Sequence, residues 1–406
     1  MKSSSMNFEN SILNVPAETQ KKVLNDYMKK AQLELIKQAH PYSITPPKAD
    51  GGRWQTYVKD TSKKSGRREI KAPSEEALYE ALAVYYLIGD KFQEVYESWL
   101  AYITYYGKAG STIQRHEQRY AKYFAHSKIP KMSVRNINLL TLEAECNRIV
   151  TEFNLPSKEW QQAKSILLGT FKYAIKKGLI AENPMERIEI GVRFKQSTKK
   201  PSETQVYQTE EYHDLMLYLE AMYTETEDDS YLAVMFSLLT GLRVGELVAL
   251  QFCNICGKKL HVINEEVGDK TKVNGKWEEK RIVVPHTKSN RDRFVTLLPK
   301  ALDIIKRLND KHPNHKDTDF LFTREGVRLE ERQIAYVLER YAEIKGKVIK
   351  STHKLRKTYA SRLSARGVPL EHIRVELGHR YLTSTMDYIY NPLTDDETYN
   401  LMAQAF

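Results

Sequence analysis

The stretch TGLRVGEL (240–247) decides how the second half of this chain is read. Glycines stand on both sides of Arg243, so the backbone can bend sharply at a helix junction and aim the guanidinium outward. Glu246, three residues on, is placed to orient that guanidinium. Four more features follow in order: HTKSNRDRFVTL (286–297), HKLR (353–356), ELGH (376–379) and Tyr388, nine residues beyond His379. Breaking a phosphodiester without a metal requires cations on the non-bridging oxygens, an acid for the departing oxygen and a nucleophile for phosphorus. Arg243, Arg356, Lys288, His353, His379 and Tyr388 can meet these needs together.

HKLR puts His353 and Arg356 on one helical face. Ser351 or Thr352 supplies a cap, and Leu355, Tyr359 and Leu363 keep the opposite side apolar. In ELGH, Gly378 ends a helix and His379 follows it. Along 286–297 the pattern predicts a hairpin, with Lys288 at the end of one strand, a Ser-Asn-Arg-Asp turn that includes Arg291, and a return over Arg293–Leu297. A lysine on such a tip can reach into a minor groove. Taken singly, each stretch also reads as ordinary structure: a surface Arg–Glu pair, an amphipathic basic helix, a structural histidine, an exposed turn lysine. Five separate coincidences do not explain their common order and spacing.

In these motifs the chain resembles the tyrosine recombinase (phage integrase) family. That pattern is Arg in a TGLR-type turn, Lys on a β-hairpin, H-x-x-R, LGH and Tyr about nine residues later. The resemblance covers roughly residues 91–406. The first ninety look like the arm-binding domain on integrases of phages and conjugative elements, in a looser match. It implies an α+β, mainly α, multidomain fold: an N-terminal helix and small sheet-plus-helix arm-binding domain (1–90), a helical core-binding domain (91–190), a basic linker (191–204) and a mixed α/β catalytic domain (205–406).

The resemblance also implies roles. Arg243 and Arg356 bind phosphate oxygens, Tyr388 attacks to form a 3′-phosphotyrosine, Lys288 protonates the 5′-oxygen, and His353 and His379 brace the phosphate and assist proton transfer. The implied activity is integration and excision of a mobile element through a Holliday junction, with no cofactor, metal or ATP. The implied partners are double-stranded attachment-site DNA, three further protomers engaged through the tail (395–406), and an accessory excisionase or host DNA-bending protein. A type IB topoisomerase shares the chemistry and is the alternative. A regulator without catalysis would lack a catalytic position, and none is missing. The chain departs from the family pattern in two places: Tyr390 competes with Tyr388, and Asn254 stands where relatives often carry an acid.

The rest of the chain agrees with a nucleic-acid partner. It has 406 residues, enough for two or three cores, and a net charge of +11. No apolar run is long enough for a membrane helix, and the N-terminus MKSSSMNFENS does not read as a secretory signal. Three cysteines form no disulfide framework, which points to a reducing cytoplasm and, with DNA as partner, to the nucleoid. Cys253 and Cys256, near His261, raise a zinc site. The only other thiol, Cys146, falls in a different predicted domain, so no metal is assigned.

A helix is predicted over 16–38, a hairpin over 54–71 and a helix from Ser74 to Leu87. Helices then run to about 190, broken at 107–110, 129–130, 154–156 and 183–184. After the linker, helices at 208–223 and 229–239 precede strands at 259–264, 281–286 and 293–298, with a charged insertion over 265–280 tipped by Asn274-Gly275. Helices return from Lys300. Candidate DNA contacts are Trp54, Arg67, Arg68, Arg119, Lys122, Arg193, Lys195, Lys199, Lys200 and Arg291.

Overall fold

The computed structural model describes residues 30–405, apart from 32, 50, 60–64, 88–90, 136, 197 and 288–291. The chain divides into two compact units, 1–197 and 198–406. The helix predicted over 16–38 is described only from residue 30, where 33–39 is helical and buries Ile36. Residues 16–29 lie outside the described residues.

In the first unit, β1 (Trp54–Lys59) and β2 (Arg67–Ala72) pair antiparallel, from Trp54↔Ala72 to Lys59↔Arg67. This is the predicted hairpin, with most of its turn outside the described residues. Helix α1 (Glu75–Leu87) starts where Ser74 Oγ accepts the Ala77 amide at 3.1 Å, and Glu75 and Glu76 complement its dipole. Strand alternation sends Thr56 and Val58 inward; Val58 forms a small core with Ile36 and Leu82. On the other side Arg67, Glu69 and Lys71 remain exposed.

Four helices follow: α2 (Phe92–Tyr105), α3 (Gly110–Arg119), α4 (Leu139–Glu152) and α5 (Ser157–Lys176). The breaks at 107–110 and 154–156 fall where the sequence predicts, whereas the gap at 129–130 extends to Leu139 and α5 already ends at Lys176, before 183–184. Helix α3 continues into a π-turn over Tyr120–Phe124, and Tyr120 stacks on Tyr96 with centroids 3.8 Å apart. The basic stretch 191–204 is held at both ends. The Gly191 and Val192 amides donate to Asn147 Oδ1, and the Lys195 amide donates to the Leu155 carbonyl. In the second unit Lys199 Nζ donates to the Ile389 carbonyl at 2.6 Å.

The second unit is built around a single buried helix. Its α6 (Thr209–Thr226) leads to α7 (Asp229–Thr240), whose sequence DSYLAVMFSLLT is apolar on nearly every side and buried on nearly every side. Helices α6, α9 (Pro299–Lys311), α10 (Glu331–Lys345) and α11 (Thr352–Ala365) pack around it. Gly241 ends α7 at φ +63°, and a Cβ there would come 2.3 Å from the Tyr359 ring. Both the left-handed backbone and the close approach demand glycine. Immediately after it comes the short α8 (Val244–Val248).

A three-stranded sheet orders β3 (Ile255–Cys256), β4 (Lys259–Val262) and β7 (Arg293–Thr296) as β3-β4-β7. The predicted insertion is itself a β-ribbon: β5 (Glu265–Val273) pairs with β6 (Lys276–Val284), turning at Asn274-Gly275 with φ of +49° and +78°. This corrects the reading of 286–297 as a hairpin. Among the described residues β6 pairs with β5 and β7 with β4, so the segment between them joins two sheets. The strand period was legible there, but the partner of each strand was not. After α11 come α12 (Leu370–Leu377), α13 (Leu382–Met386) and α14 (Asp395–Gln404). No described helix is long and apolar enough to cross a membrane.

Candidate active site

Arg243 sits at the N-cap of α8. Its amide donates to Glu246 Oε2 at 2.9 Å and its Nη1 to Glu246 Oε1 at 2.7 Å. Glu246 is fully buried. Burial opposes its charge, but the hydrogen bonds of Arg293 and the charges of Arg293, Arg243 and Arg356 hold its carboxyl down at about 2. Three guanidinium groups thus surround one carboxylate, and Arg356 is 4.0 Å from it. The surplus of positive charge favours an anion.

Arg356 lies on the inner face of α11, with no appreciable exposure. Its Nη1 donates to the Gly241 carbonyl at 2.7 Å and its Nη2 to the Leu377 carbonyl. Those two acceptors end α7 and α12, so the arginine ties together the motifs around residues 241 and 378. Its Nε finds no partner among the described residues. Burial, then the charge of Arg243, lowers its pKa to about 9.

Gly378 ends α12 at φ +62° and turns the chain so that His379 enters the interior. Its Nδ1 lies 3.0 Å from Thr385 Oγ1, and its Nε2 is buried without a partner among the described residues. Burial and the neighbouring Arg356, Arg243, Arg293 and His353 lower His379 to about 3. Partial desolvation and the cations Arg356, Lys357, Lys354 and Arg243 lower His353 to about 4, although that residue still meets solvent. Both imidazoles are therefore neutral near pH 7.

Tyr388 is half-buried against these groups. Its ring centroid lies 4.6 Å from His379 and 4.9 Å from His353, and the Arg356 guanidinium carbon is 5.8 Å from it. Tyr390 faces elsewhere. Lys199 and Lys357 bracket its ring at 4.5 and 4.7 Å, and its hydroxyl is 3.4 Å from Lys357 Nζ. Ser361 on α11 separates the two tyrosines, donating to the Tyr388 carbonyl at 3.1 Å and accepting the Tyr390 amide at 3.0 Å.

Five of the six predicted catalytic residues, with Glu246, therefore come together, and Lys288 lies outside the described residues with Arg291. The other candidate DNA contacts are dispersed. Arg67 lies over the Tyr57 ring, and Arg68 donates to the Gly178 carbonyl. Arg119 is held by Glu159 and Gln162, and Lys122 lies over the Tyr123 ring. Trp54 is half-buried in β1, and Arg193 and Lys200 have exposed side chains. Sequence reasoning passed over Arg293, Glu376, Thr385 and Ser361. Glu376 accepts the Thr296 amide and hydroxyl at 3.0 and 2.7 Å, fastening β7 to α12. The one available signal was the position of Arg293 and Glu376 inside quoted motifs.

Residues 205–394 match the model of the phage integrase family. The tyrosine recombinase XerC of Thermodesulfovibrio yellowstonii is 31% identical over 232 residues, 56% of this chain and 69% of that protein. A XerC-like tyrosine recombinase of Caldanaerobacter subterraneus is 23% identical over 75% of this chain and 80% of its own length. Among solved structures, the Tn1549 transposon integrase in complex with a circular intermediate DNA aligns over 78% of this chain and all of that one. Its TM-score is 0.54 at 16% identity, a likeness of fold. The lambda integrase tetramer bound to a Holliday junction aligns over 86% of this chain and 95% of that one, with TM-score 0.51 and 14% identity. The chain belongs to the phage integrase family and is a tyrosine-type site-specific DNA recombinase.

Proposed function

We propose that the chain integrates and excises a mobile genetic element, with Tyr388 as the nucleophile of a 3′-phosphotyrosine intermediate. The observation that carries this reading is the packing of Tyr388 between His353 and His379, beside a buried guanidinium and an imidazole that each keep one nitrogen without a partner among the described residues. Arg243 and Arg356 grip the non-bridging oxygens of the scissile phosphate, Arg243 oriented by Glu246. Each such preorganised donor is worth about 3 kcal/mol in the transition state. The neutral imidazoles take the phenolic proton or hydrogen-bond the phosphate. Lys288, assigned by its place in the motif, protonates the departing 5′-oxygen.

The phosphotyrosine bond conserves the energy of the broken linkage, so a 5′-hydroxyl of another strand can reverse the step without ATP. Two exchanges through a Holliday junction recombine two duplexes. The substrates are double-stranded attachment sites, and the working assembly is a tetramer held through α14, whose Tyr399, Leu401 and Met402 are exposed. An excisionase or a host DNA-bending protein sets direction, and the protein acts at the nucleoid. Basic side chains including Arg67, Arg193 and Lys200 supply backbone contacts.

A nicked duplex that loses its 5′-hydroxyl fragment on cleavage tests the reading. Wild type and Tyr390→Phe should accumulate a covalent protein–DNA adduct, and Tyr388→Phe should form none. An adduct on Tyr388→Phe would overturn the assignment.

A further inference from the structure

Arg293 opens β7 with a side chain only 7% exposed, and each of its three nitrogens donates a hydrogen bond. Nη1 and Nη2 reach the two oxygens of Glu246 at 2.9 and 2.7 Å, and Nε donates to the Glu376 carbonyl at 2.9 Å. Its stem lies against Gly378, where a Cβ would come 2.7 Å from Arg293 Cδ. One side chain therefore touches the helix that carries Glu246, the last turn of α12 and the residue before His379.

The geometry at Glu246 gives this contact a use. Oε1 is shared between Nη1 of Arg243 and Nη1 of Arg293, while Oε2 takes Nη2 of Arg293 and the Arg243 amide. Arg243 alone would give each oxygen one hydrogen bond; the planar fork of Arg293 adds a second to each, so rotation of the carboxylate must also break two charge-assisted bonds at once. Arg243 is the more exposed partner, at 21% of its side chain, and hangs from a carboxylate whose plane the buried arginine fixes.

We propose that Arg293 is a positioning residue for strand cleavage, setting the plane of Glu246 and through it the guanidinium of Arg243. The proposal rests on the reading of Arg243 as a clamp on the scissile phosphate. A lysine at 293 keeps the charge but cannot span both carboxylate oxygens and the Glu376 carbonyl together.

The test compares wild type, Arg293→Lys, Arg293→Met, Arg243→Lys and the double Arg243→Lys/Arg293→Lys variant. The probe is a nicked suicide duplex cut from one end of the element that carries the gene. Three quantities are read: the single-turnover rate of covalent attachment, the Kd for the same duplex, and the thermal midpoint. Each Arg293 variant should melt cooperatively, bind within about 3-fold of wild type and cleave at least about 30-fold more slowly, close to 2 kcal/mol. The double variant should be within about 3-fold of Arg243→Lys alone, since both changes remove one interaction; a general loosening would multiply the defects. Multiplied defects, wild-type cleavage by Arg293→Lys, or failure of both Arg293 variants to fold would overturn the proposal. If Arg243→Lys itself cleaves at the wild-type rate, the clamp reading falls and this proposal with it. A slow Arg243→Lys beside a fast Arg293→Lys sinks the positioning role alone.

Discussion

The imidazole of His379 stands 4.6 Å from the ring of Tyr388, tilted 66° to it, with Nδ1 engaged by Thr385 and Nε2 without a partner among the described residues. A neutral imidazole in that place can accept a proton from the phenol or donate a hydrogen bond to a bound phosphate. Accepting the proton requires that it not be protonated beforehand, and burial, together with the surrounding guanidinium groups, sees to that.

The same electrostatics predicts how stability depends on pH. His379 and His353 are lowered from 6.5 to about 3 and about 4, so the unfolded chain binds protons before the folded one as pH falls. Their contribution is complete above 6.5 and declines as pH drops toward about 4 for His353 and about 3 for His379. Glu246, lowered from 4.5 to about 2, adds a second decline below 4.5. The thermal midpoint should be a few degrees lower at about pH 5 than at about pH 7.5. His353→Asn should narrow the gap. Equal midpoints at both pH values would show that the imidazoles are not held neutral.

Glu246→Gln leaves three guanidinium groups around a neutral amide in a fully buried place. Removing one partner of a buried ion cluster destabilises by about 3–5 kcal/mol. Urea unfolding should show that loss. Covalent attachment should fall further than the folded fraction does, because Arg243 loses its orienting partner. A midpoint within error of wild type would contradict the network.

Gly241→Ala meets two obstacles, a left-handed backbone and the Tyr359 ring 2.3 Å from the new methyl. Together these should destabilise by at least about 2 kcal/mol. The same change also moves the carbonyl that receives Arg356, so adduct formation should drop in whatever protein remains folded.

Deleting 395–406 removes α14, whose Tyr399, Leu401 and Met402 are exposed and whose Thr394 capping box makes it a well-started helix. DNA binding by the truncated chain should stay within about 3-fold of the full chain. Recombination between two sites should be severely reduced, as read by product formation. Unchanged recombination would remove the tail from the assembly.

The helices and the motif residues were legible because each rests on local signals: period, caps, a glycine where a left-handed residue is needed. Gly241 and Gly378 announced the ends of α7 and α12, and the spacing from His379 singled out Tyr388 over Tyr390. What stayed hidden was pairing at a distance. Most of the ribbon over 265–284 read as a charged insertion (265–280), with only its last residues in a predicted strand (281–286), because its two strands face solvent on most sides and show little alternation. Arg293 was one basic residue among several in its segment. Only the fold reveals that its side chain turns inward onto Glu246. A residue that acts on another side chain leaves no periodic trace, and so Glu376 and Ser361 also escaped notice.

Ser361 fastens the backbone on either side of Ile389 to the same helix that carries Arg356. With Tyr388 as the proposed nucleophile and Arg356 as the proposed phosphate clamp, both come from one polypeptide, and strand opening is expected within a single subunit. Co-assembled molecules disabled separately at Tyr388 and at Arg356 would then fail to complement each other.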